Sequence, residues 1–457
     1  MKILITGATG LVGKRLLEKL FLSGFDDVRI LSTSKKRAQN SIPFPVEVFE
    51  WSPLENKISD AALENIDIVF HLAGESVADG RWSKQRKERI LNSRVNGTRL
   101  LLDSIQKSNS TPQKFITASA VGIYGQDLSD KVITEESPLD DDFLADVCRR
   151  WENTLFERDI EGMKVHSLRT GIVLSNQGGA LQKMLPPFKM GAGGILGSGK
   201  QYMSWIHIDD LVDAYIFLMK NDCKEKAYNG VSPTPLTNYN FTKVLGAALK
   251  RPTIFPVPAF VLKGIFGEMS DILLKGQRVI PKALEAEGFE FKYEKLGDAL
   301  DDILKYEVSG EVLFKRYQWV ESSKDKVFDF FKEAKNLEKI TPEYLNFKIL
   351  HMNTDNIQAG SLIDYKLQVH GIPMKWKTKI SEYEEGKYFI DEQLKGPYSK
   401  WVHRHEFIPH KNGTLISDKV VYKIPLGILG KLAAGWFVKK DVNNIFNYRN
   451  KAINNFI

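Results

Sequence analysis

A glycine-rich turn near the start of the chain joins a short aliphatic run, residues 2–5, to an amphipathic segment, residues 10–22. Gly7 permits a tight turn, Gly10 lets the backbone approach a pyrophosphate, and Gly13 allows close packing of helix on strand. The N-terminus of the helix would add N–H donors. The pattern predicts a dinucleotide-binding unit rather than a glycine turn that binds nothing, and the predicted contacts are Gly7, Thr9, Gly10, Leu11, Val12 and Gly13.

Up to about residue 175, short β-branched runs alternate with longer helical patterns. Parallel strands require crossover connections of a dozen or more residues, and the helical segments are long enough to supply them. The rhythm predicts a doubly wound parallel α/β sheet of the Rossmann type, followed by a small substrate lobe of glycine- and proline-containing loops. The strand candidates are residues 2–5, 28–31, 46–49, 66–72, 114–119 and 164–168.

The end of the second strand, near Leu31, carries no acidic residue, although an NAD-type fold often places one there on the ribose 2′-hydroxyl. The segment Ser32-Thr33-Ser34-Lys35-Lys36-Arg37 instead offers hydroxyls and three cations, which favours the extra 2′-phosphate of NADP. The alternatives are a solvated basic helix start and NAD as the cofactor. We assign three residues to the cofactor here, Thr33, Ser34 and Lys35.

The next strand ends in two small residues that would let a cofactor pass close above the strand tips. His71, within this strand, is interpreted as a packed residue rather than a base. Glu75 and Arg81 are predicted to clamp ribose or phosphate, with a catalytic role as the alternative. The predicted cofactor contacts of this region are Leu72, Ala73, Gly74, Glu75 and Arg81.

The chain resembles the extended short-chain dehydrogenase/reductases in its glycine motif and in two later segments, His71-Leu72-Ala73-Gly74 and Ser119-Ala120-Val121-Gly122-Ile123-Tyr124-Gly125. Further segments are similar to the atypical, epimerase-like branch of that family: Gly80-Arg81-Trp82-Ser83, Ser93-Arg94-Val95, 143–152, 178–188 and Trp205-Ile206-His207-Ile208-Asp209-Asp210. Residues 256–281 resemble the small C-terminal domain of that branch, which has no known function. The resemblance covers about residues 1–305 and implies a Rossmann domain at 1–235, a small domain at 236–305, and an NADP-dependent oxidoreductase or epimerase-like enzyme with a small-molecule substrate.

The chain departs from the catalytic pattern of the family, in which a Tyr transfers the proton and a Lys lowers its pKa while holding the nicotinamide ribose. The usual Ser position falls on Ala120, and the Tyr-x-x-x-Lys pair falls on Leu144 and Cys148. Ser119 and Tyr124 are the remaining catalytic candidates, and Cys148, in the ribose-contacting place, is assigned to the cofactor. Whether the chain is an enzyme therefore stays open, and the alternative is a non-catalytic NADP-binding sensor coupled to a binder of lipid-like ligands.

After about residue 306 the pattern changes to a strand, a helix, several alternating strands and a final helical stretch, which is typical of an α+β domain. Together with residues 396–407 and 418–422, this order resembles the helix-grip superfamily of polyketide cyclases and START-like lipid-transfer proteins (SRPBCC), at 312–457. The resemblance implies a cavity for an apolar ligand. The apolar residues expected to close it from the final helix are Leu429, Leu432, Trp436, Phe437, Ile445 and Phe446.

Alternation places His403 and His405 on one face of a strand in this region. A metal site needs a third ligand, and none is evident at suitable spacing, so we predict no metal and expect this face to meet the cavity or the long helix.

Length and composition limit the remaining functions. With 457 residues, two or three domains are expected. The net charge of +7 is mild and accompanies no nucleic-acid-binding motif, so no nucleic-acid partner is predicted. Two cysteines, Cys148 and Cys223, cannot form a disulfide framework, which favours a cytoplasmic location. No signal peptide or integral membrane segment is expected, and no oligomeric state is predicted.

Overall fold

The computed structural model describes residues 1–125 and 130–457, except for the side chains of Ile428 and Leu432. The prediction made for Leu432 therefore lies outside the described residues. The chain folds as two compact units: unit 1 is Met1–Ile42 with Val46–Lys305, and unit 2 is Pro43–Pro45 with Tyr306–Ile457. The finer domain limits at residues 235, 305 and 312 stay predictions.

Unit 1 contains the predicted doubly wound α/β sheet. Its eight strands lie in the order β12-β8-β6-β5-β1-β2-β3-β4, and every pair is parallel except β3 with β4. The strands of unit 1 are β1 (Lys2–Thr6), β2 (Asp27–Ser32), β3 (Glu47–Ser52), β4 (Lys57–Ile58), β5 (Ile68–His71), β6 (Lys114–Ala120), β7 (Val132–Ile133), β8 (Lys164–Thr170), β9 (Ile172–Leu174), β10 (Tyr202–Met203), β11 (Trp205–His207), β12 (Ala227–Gly230), β13 (Leu236–Thr237) and β14 (Arg278–Val279).

The strand order reverses direction between β1 and β5. The chain moves outward from β1 through β2 and β3, then returns to place β5 on the other side of β1. Open α/β sheets bind their ligands at such a switch point, beyond the carboxyl ends of the strands. The predicted cofactor contacts at 7–13 and 72–75 follow these two strand ends.

Helices cover the sheet and bury its aliphatic middle. Leu4 of β1, Val69 of β5 and Phe115 of β6 pack with Leu101 and Ile105 in one core cluster, and each such side chain contributes about 1.5–3 kcal/mol through burial. The helices that begin in unit 1 are α1 (Leu11–Leu22), α2 (Lys35–Ser41), α3 (Lys84–Lys107), α4 (Phe143–Phe156), α5 (Gly179–Lys189), α6 (Ile208–Lys220), α7 (Asn238–Leu249), α8 (Ala259–Phe266), α9 (Asp271–Leu274), α10 (Lys282–Ala286) and α11 (Leu296–Val308).

Unit 2 is the predicted helix-grip fold: a seven-stranded antiparallel sheet with a long terminal helix. The strands lie in the order β15-β21-β20-β19-β18-β17-β16. They are β15 (Val312–Val320), β16 (Lys348–Met352), β17 (Leu362–Val369), β18 (Ile372–Glu384), β19 (Tyr388–Lys395), β20 (Lys400–His410) and β21 (Gly413–Lys423), with helices α12 (Lys324–Lys332), α13 (Asn336–Lys339) and α14 (Gly427–Ile453).

The terminal helix α14 lines a cavity in unit 2 with only one of its faces. Phe446 is buried and Ile445 half-buried, and both line the cavity as predicted. The prediction is wrong for Leu429, Trp436 and Phe437, which are exposed. The reason is helical periodicity, because these three lie off the stripe formed by the lining residues Ala434, Val438, Val442, Ile445 and Arg449. Within the described residues, α14 and the other helices all lack the length and apolar composition needed to cross a membrane.

Candidate functional site

The glycine turn after β1 has no room for side chains. Gly7 has a φ of +70°, and a Cβ atom there would lie 2.7 Å from the carbonyl carbon of Leu72. A Cβ atom at Gly13 would lie 2.3 Å from the carbonyl oxygen of Gly7. Gly10 caps α1 without any side-chain hydrogen bond, so the positive end of the helix stays open beside the tips of β1 and β5.

The ends of β1 and β5 are held together by buried polar contacts. The hydroxyl of Thr6 lies 2.7 Å from Nδ1 of His71 and accepts a hydrogen bond from the backbone N–H of Ala73 at 3.1 Å. Burial, with a smaller contribution from the positive charge of Arg94, lowers the pKa of His71 to about 3. His71 is therefore neutral near pH 7 and acts as a packed strand residue, as interpreted from the sequence.

The tip of β2 ends in hydroxyls and cations. The Ser34 side chain accepts a hydrogen bond from the backbone N–H of Arg37 at 3.3 Å and so caps α2. Thr33 and Lys35 are exposed beside it. The assignment of these three predicted residues to the cofactor stays a prediction, and the cap gives Ser34 a structural role as well.

Glu75 and Arg81 already have protein partners. A carboxylate oxygen of Glu75 accepts a hydrogen bond from Arg86 at 2.6 Å. The guanidinium of Arg81 donates to the carbonyl oxygens of Gly264 and Ile265, with Nε 3.0 Å from the latter. These contacts hold the loop after β5, and the predicted cofactor contacts of both residues stay untested predictions.

The two catalytic candidates stand in different surroundings. Ser119 lies at the end of β6, where its buried hydroxyl has no hydrogen-bond partner among the described residues. The hydroxyl of Tyr124 donates to Asn229 and accepts from Arg169, both at 2.8 Å. Burial raises the pKa of Tyr124 to about 12. The proton of this phenol is therefore held within the protein, whereas the hydroxyl of Ser119 is available.

Cys148 on α4 is buried beside Ser119. Burial raises the pKa of its thiol to about 11, although the positive charge of Arg94 acts in the opposite direction. The thiol is therefore protonated near pH 7, which excludes it as a reactive thiolate at this pH.

Arg94 also belongs to this site, although it is not among the predicted site residues. A Cβ atom on Gly74 would lie 3.2 Å from its Cζ, and its guanidinium donates to the carbonyl oxygens of Glu75 and Ile90. Burial lowers the pKa of Arg94. A signal existed in the sequence, because Arg94 follows Ile90 by one helical turn on the apolar face of α3. A cation on that face is a candidate for a buried contact.

A second candidate site lies within unit 2, in a cavity of about 600 Å³. Most of its wall is apolar, with aromatic residues that include Phe347, Tyr365, Trp376, Tyr398 and Trp401. Its ionisable lining residues include Asp391, His403, His405 and Arg449, together with His370 and Asp441. The face of β20 that carries both histidines thus meets the cavity, as predicted.

The two histidines lie between two carboxylates. Nε2 of His403 is 2.9 Å from Asp418 and its Nδ1 is 3.3 Å from Asp391. His405 approaches the same carboxylates at 3.1 Å from Asp391 and 3.0 Å from Asp418. Asp391, His403 and His405 form a group with metal-ligating atoms within 4.8 Å of one another. Spacing along one strand does not predict the third group, because Asp391 comes from the adjacent strand, where it pairs with His403.

Comparisons with known proteins identify three matching regions. The NAD dependent epimerase/dehydratase family matches residues 3–229, a domain of unknown function matches 257–303, and the family described as polyketide cyclase / dehydrase and lipid transport matches 320–447. The order agrees with the resemblances stated from the sequence and confirms them.

Several individual proteins are similar to unit 1. The chloroplastic epimerase family protein SDR39U1 homolog of Arabidopsis thaliana is 38% identical over 311 residues, which is 67% of this chain and 87% of that protein. The crystal structure of human epimerase family protein SDR39U1 (isoform 2) with NADPH has a TM-score of 0.60 and 32% identity, covering 67% of this chain and 99% of the human chain. A nucleoside-diphosphate sugar epimerase from Corynebacterium glutamicum has a TM-score of 0.53 and 34% identity, covering 67% of this chain and 58% of that one.

Proposed function

Because the chain belongs to the NAD-dependent epimerase/dehydratase family, we propose that it is an NADP-dependent oxidoreductase or epimerase-like enzyme acting on a small, hydrophobic substrate. The observation that carries the proposal is the open glycine turn at the start of α1. Side chains at Gly7 or Gly13 would collide with backbone, so the turn keeps a bare surface of N–H groups for a pyrophosphate.

The tip of β2 supports NADP over NAD. Thr33, Ser34 and Lys35 follow the strand in place of the acidic residue that would bind a ribose 2′-hydroxyl and repel a 2′-phosphate. A cation beside hydroxyl donors is suited to a phosphate dianion. The human relative was solved with NADPH, which agrees with this choice.

The residues beyond β5 and β6 suit the nicotinamide end of the cofactor, which when bound supplies a hydride. In the proposed site, the hydroxyl of Ser119 binds the oxygen at the reacting carbon. Arg94 provides a buried positive charge close to the position where the family has its lysine, since its charge acts on Cys148. Tyr124, the other predicted catalytic residue, acts by positioning, because its hydroxyl is held by Asn229 and Arg169.

The alternative function is a non-catalytic NADP-binding sensor. The observation in its favour is that Leu144 and Cys148 occupy the places of the catalytic Tyr and Lys, and the Cys148 thiol is protonated near neutral pH. Turnover distinguishes the two functions. Reduction of any member of a panel of apolar ketones, aldehydes and sugar nucleotides supports the enzyme, whereas NADPH binding without turnover supports the sensor.

The cofactor is tested by titrating the full-length protein with NADPH and NADH and following nicotinamide fluorescence. We expect NADPH to bind at least about tenfold more tightly, a difference of about 1.4 kcal/mol. Lys35→Ala should reduce this preference, while the control Lys107→Ala removes another exposed lysine, at the end of α3, and should leave it unchanged. Absence of saturable binding of either nucleotide would remove the basis of the proposal.

A further inference from the structure

The cavity of unit 2 contains hydrogen-bond donors that meet no acceptor in the part of the chain that the structure describes. Arg449 is 7% exposed, and neither its Nε nor its Nη1 meets an acceptor among the described residues. Trp376 is 8% exposed, and its indole N–H is likewise without an acceptor there. Both side chains line the cavity. A buried donor without an acceptor destabilises the folded protein, so these N–H groups favour a ligand that supplies acceptors.

The charges at the polar wall limit what such a ligand can carry. The carboxylates of Asp391 and Asp418 lie 2.9–3.3 Å from the ring nitrogens of His403 and His405. A third carboxylate, Asp441, lines the cavity and contacts His370. A ligand carboxylate would add a further negative charge beside these carboxylates, and a cation would bring a further positive charge close to the guanidinium of Arg449. Each excess charge is costly in a buried site.

The remaining wall selects for an apolar body. Aromatic rings surround the cavity, with Tyr365 and Trp376 stacked at 5.8 Å and Trp401 edge-on to Trp376 at 5.5 Å. The volume of about 600 Å³ is within the ordinary range of small-molecule pockets. The rings offer contact area without further charge.

We propose that this cavity binds an uncharged apolar ligand bearing a carbonyl oxygen, which accepts hydrogen bonds from Arg449 or Trp376. In this site the carboxylate of Asp418 lies close to Arg449 without covering its N–H groups. The nearest approach is 4.0 Å, between Nη1 and a carboxylate oxygen of Asp418, which is beyond hydrogen-bond distance. The ligand is distinguished by its uncharged acceptor from fatty acids, which share its apolar body.

The test uses three fluorescent probes of similar aromatic size, with NADP⁺ present in excess to occupy the proposed nucleotide site. The carbonyl probe is 6-propionyl-2-dimethylaminonaphthalene, whose emission moves to the red when its carbonyl accepts a hydrogen bond. N-phenyl-1-naphthylamine lacks a carbonyl, and 1-anilinonaphthalene-8-sulfonate carries a negative charge. We expect the carbonyl probe to bind at least fivefold more tightly than either of the others.

Two variants identify the side chain that donates to the carbonyl oxygen. Arg449→Met should weaken binding of the carbonyl probe about tenfold and move its bound emission to the blue. Binding of N-phenyl-1-naphthylamine should change little. Trp376→Phe keeps an aromatic ring and removes the indole N–H. It should change binding and emission in the same direction, and it keeps the test decisive if the Arg449 variant does not fold. The control Lys451→Met removes a charge from the exposed side of the same helix and should change nothing.

Three results would overturn the proposal. They are equal binding of the two neutral probes, tighter binding of the sulfonate, and a stoichiometric metal ion in the purified protein that is lost in His403→Gln. The last result would assign the Asp391, His403 and His405 group to a metal instead. None of these results bears on nucleotide binding in unit 1, so the failure of this proposal and that of the NADP-dependent function are distinguishable.

Discussion

Two glycines of unit 1 differ sharply in the space that a methyl group would find. At Gly13 the added carbon would lie 2.3 Å from the carbonyl oxygen of Gly7, whereas at Gly297 in α11 no described atom outside its chain neighbours and its own helix backbone lies within 4 Å. Gly13→Ala should therefore destabilise the protein by about 1–3 kcal/mol through overpacking and should abolish NADPH binding. Gly297→Ala should stabilise the helix by about 0.5–1 kcal/mol and leave binding unchanged. Urea unfolding and NADPH titration of both variants check this pair.

Substitutions of Ser119 and Tyr124 should change different kinetic parameters. If the Ser119 hydroxyl binds the reacting oxygen, Ser119→Ala should lower kcat by a factor of about 10²–10³, as loss of one preorganised donor does. Tyr124→Phe should change KM and stability more than kcat, because the phenol is hydrogen-bonded to Asn229 and Arg169. Steady-state kinetics on any substrate that is turned over decide the point. A larger kcat loss in the Tyr124 variant would make the phenol the catalytic group.

Strands β19, β20 and β21 together build a polar cluster that should give unit 2 a distinctive pH dependence. The pKa values of Asp391 and Asp418 are lowered because the histidines outweigh the effect of burial, so their contribution to stability is present above pH ~4 and is lost in acid. The pKa of His403 is raised, so its contribution is complete below pH ~6.5 and is lost as pH rises through its folded value. We expect the cluster to stabilise unit 2 most between pH ~4 and ~6.5.

Thermal unfolding of the full-length protein at a series of pH values measures this effect. His403→Gln should remove most of the decline in stability on the alkaline side of that window. His351→Gln replaces an exposed histidine of β16 and should leave the curve unchanged. A decline that persists in His403→Gln would mean that another group is responsible for it.

The elements of the fold followed from local patterns, whereas parts of both sites depend on pairing between elements. The alternation of short strands and long helices was sufficient to predict the parallel sheet, because each period is set by nearby residues. Asp391 was missed because it meets His403 only through the register of β19 with β20, which no spacing along one strand reveals. Arg94 was missed for a related reason, since only the packing of α3 against the loop after β5 brings its guanidinium to Gly74.

The lining of the cavity shows the same limit within one helix. The sequence of α14 predicts a helix that closes the cavity, but its apolar residues lie on more than one face, so composition alone does not decide which face meets the sheet. Phe446 is on that face, and Trp436 is exposed. The rotation of a helix about its own axis, which decides the face that it turns to its neighbours, depends on tertiary packing. An apolar pattern that covers more than one face does not determine it.

At the scale of the whole molecule, the two units should respond to different ligands. The human relative consists almost entirely of the part that matches 67% of this chain, which indicates that such a unit folds without a helix-grip partner. We expect NADPH at about 100 times its Kd to raise the stability of unit 1 by about 2.7 kcal/mol, because a ligand stabilises the folded state that binds it. The carbonyl probe should raise the stability of unit 2 alone.

Hydrogen exchange followed by mass spectrometry on the full-length protein assigns each effect to its unit. Added NADPH should slow exchange in peptides from β1, α1 and β5, and the carbonyl probe should slow exchange in peptides from β18, β20 and α14. Gly13→Ala should remove only the first response and Arg449→Met only the second. Protection of both units by either ligand alone would contradict two independent sites and would require that binding in one unit be transmitted to the other.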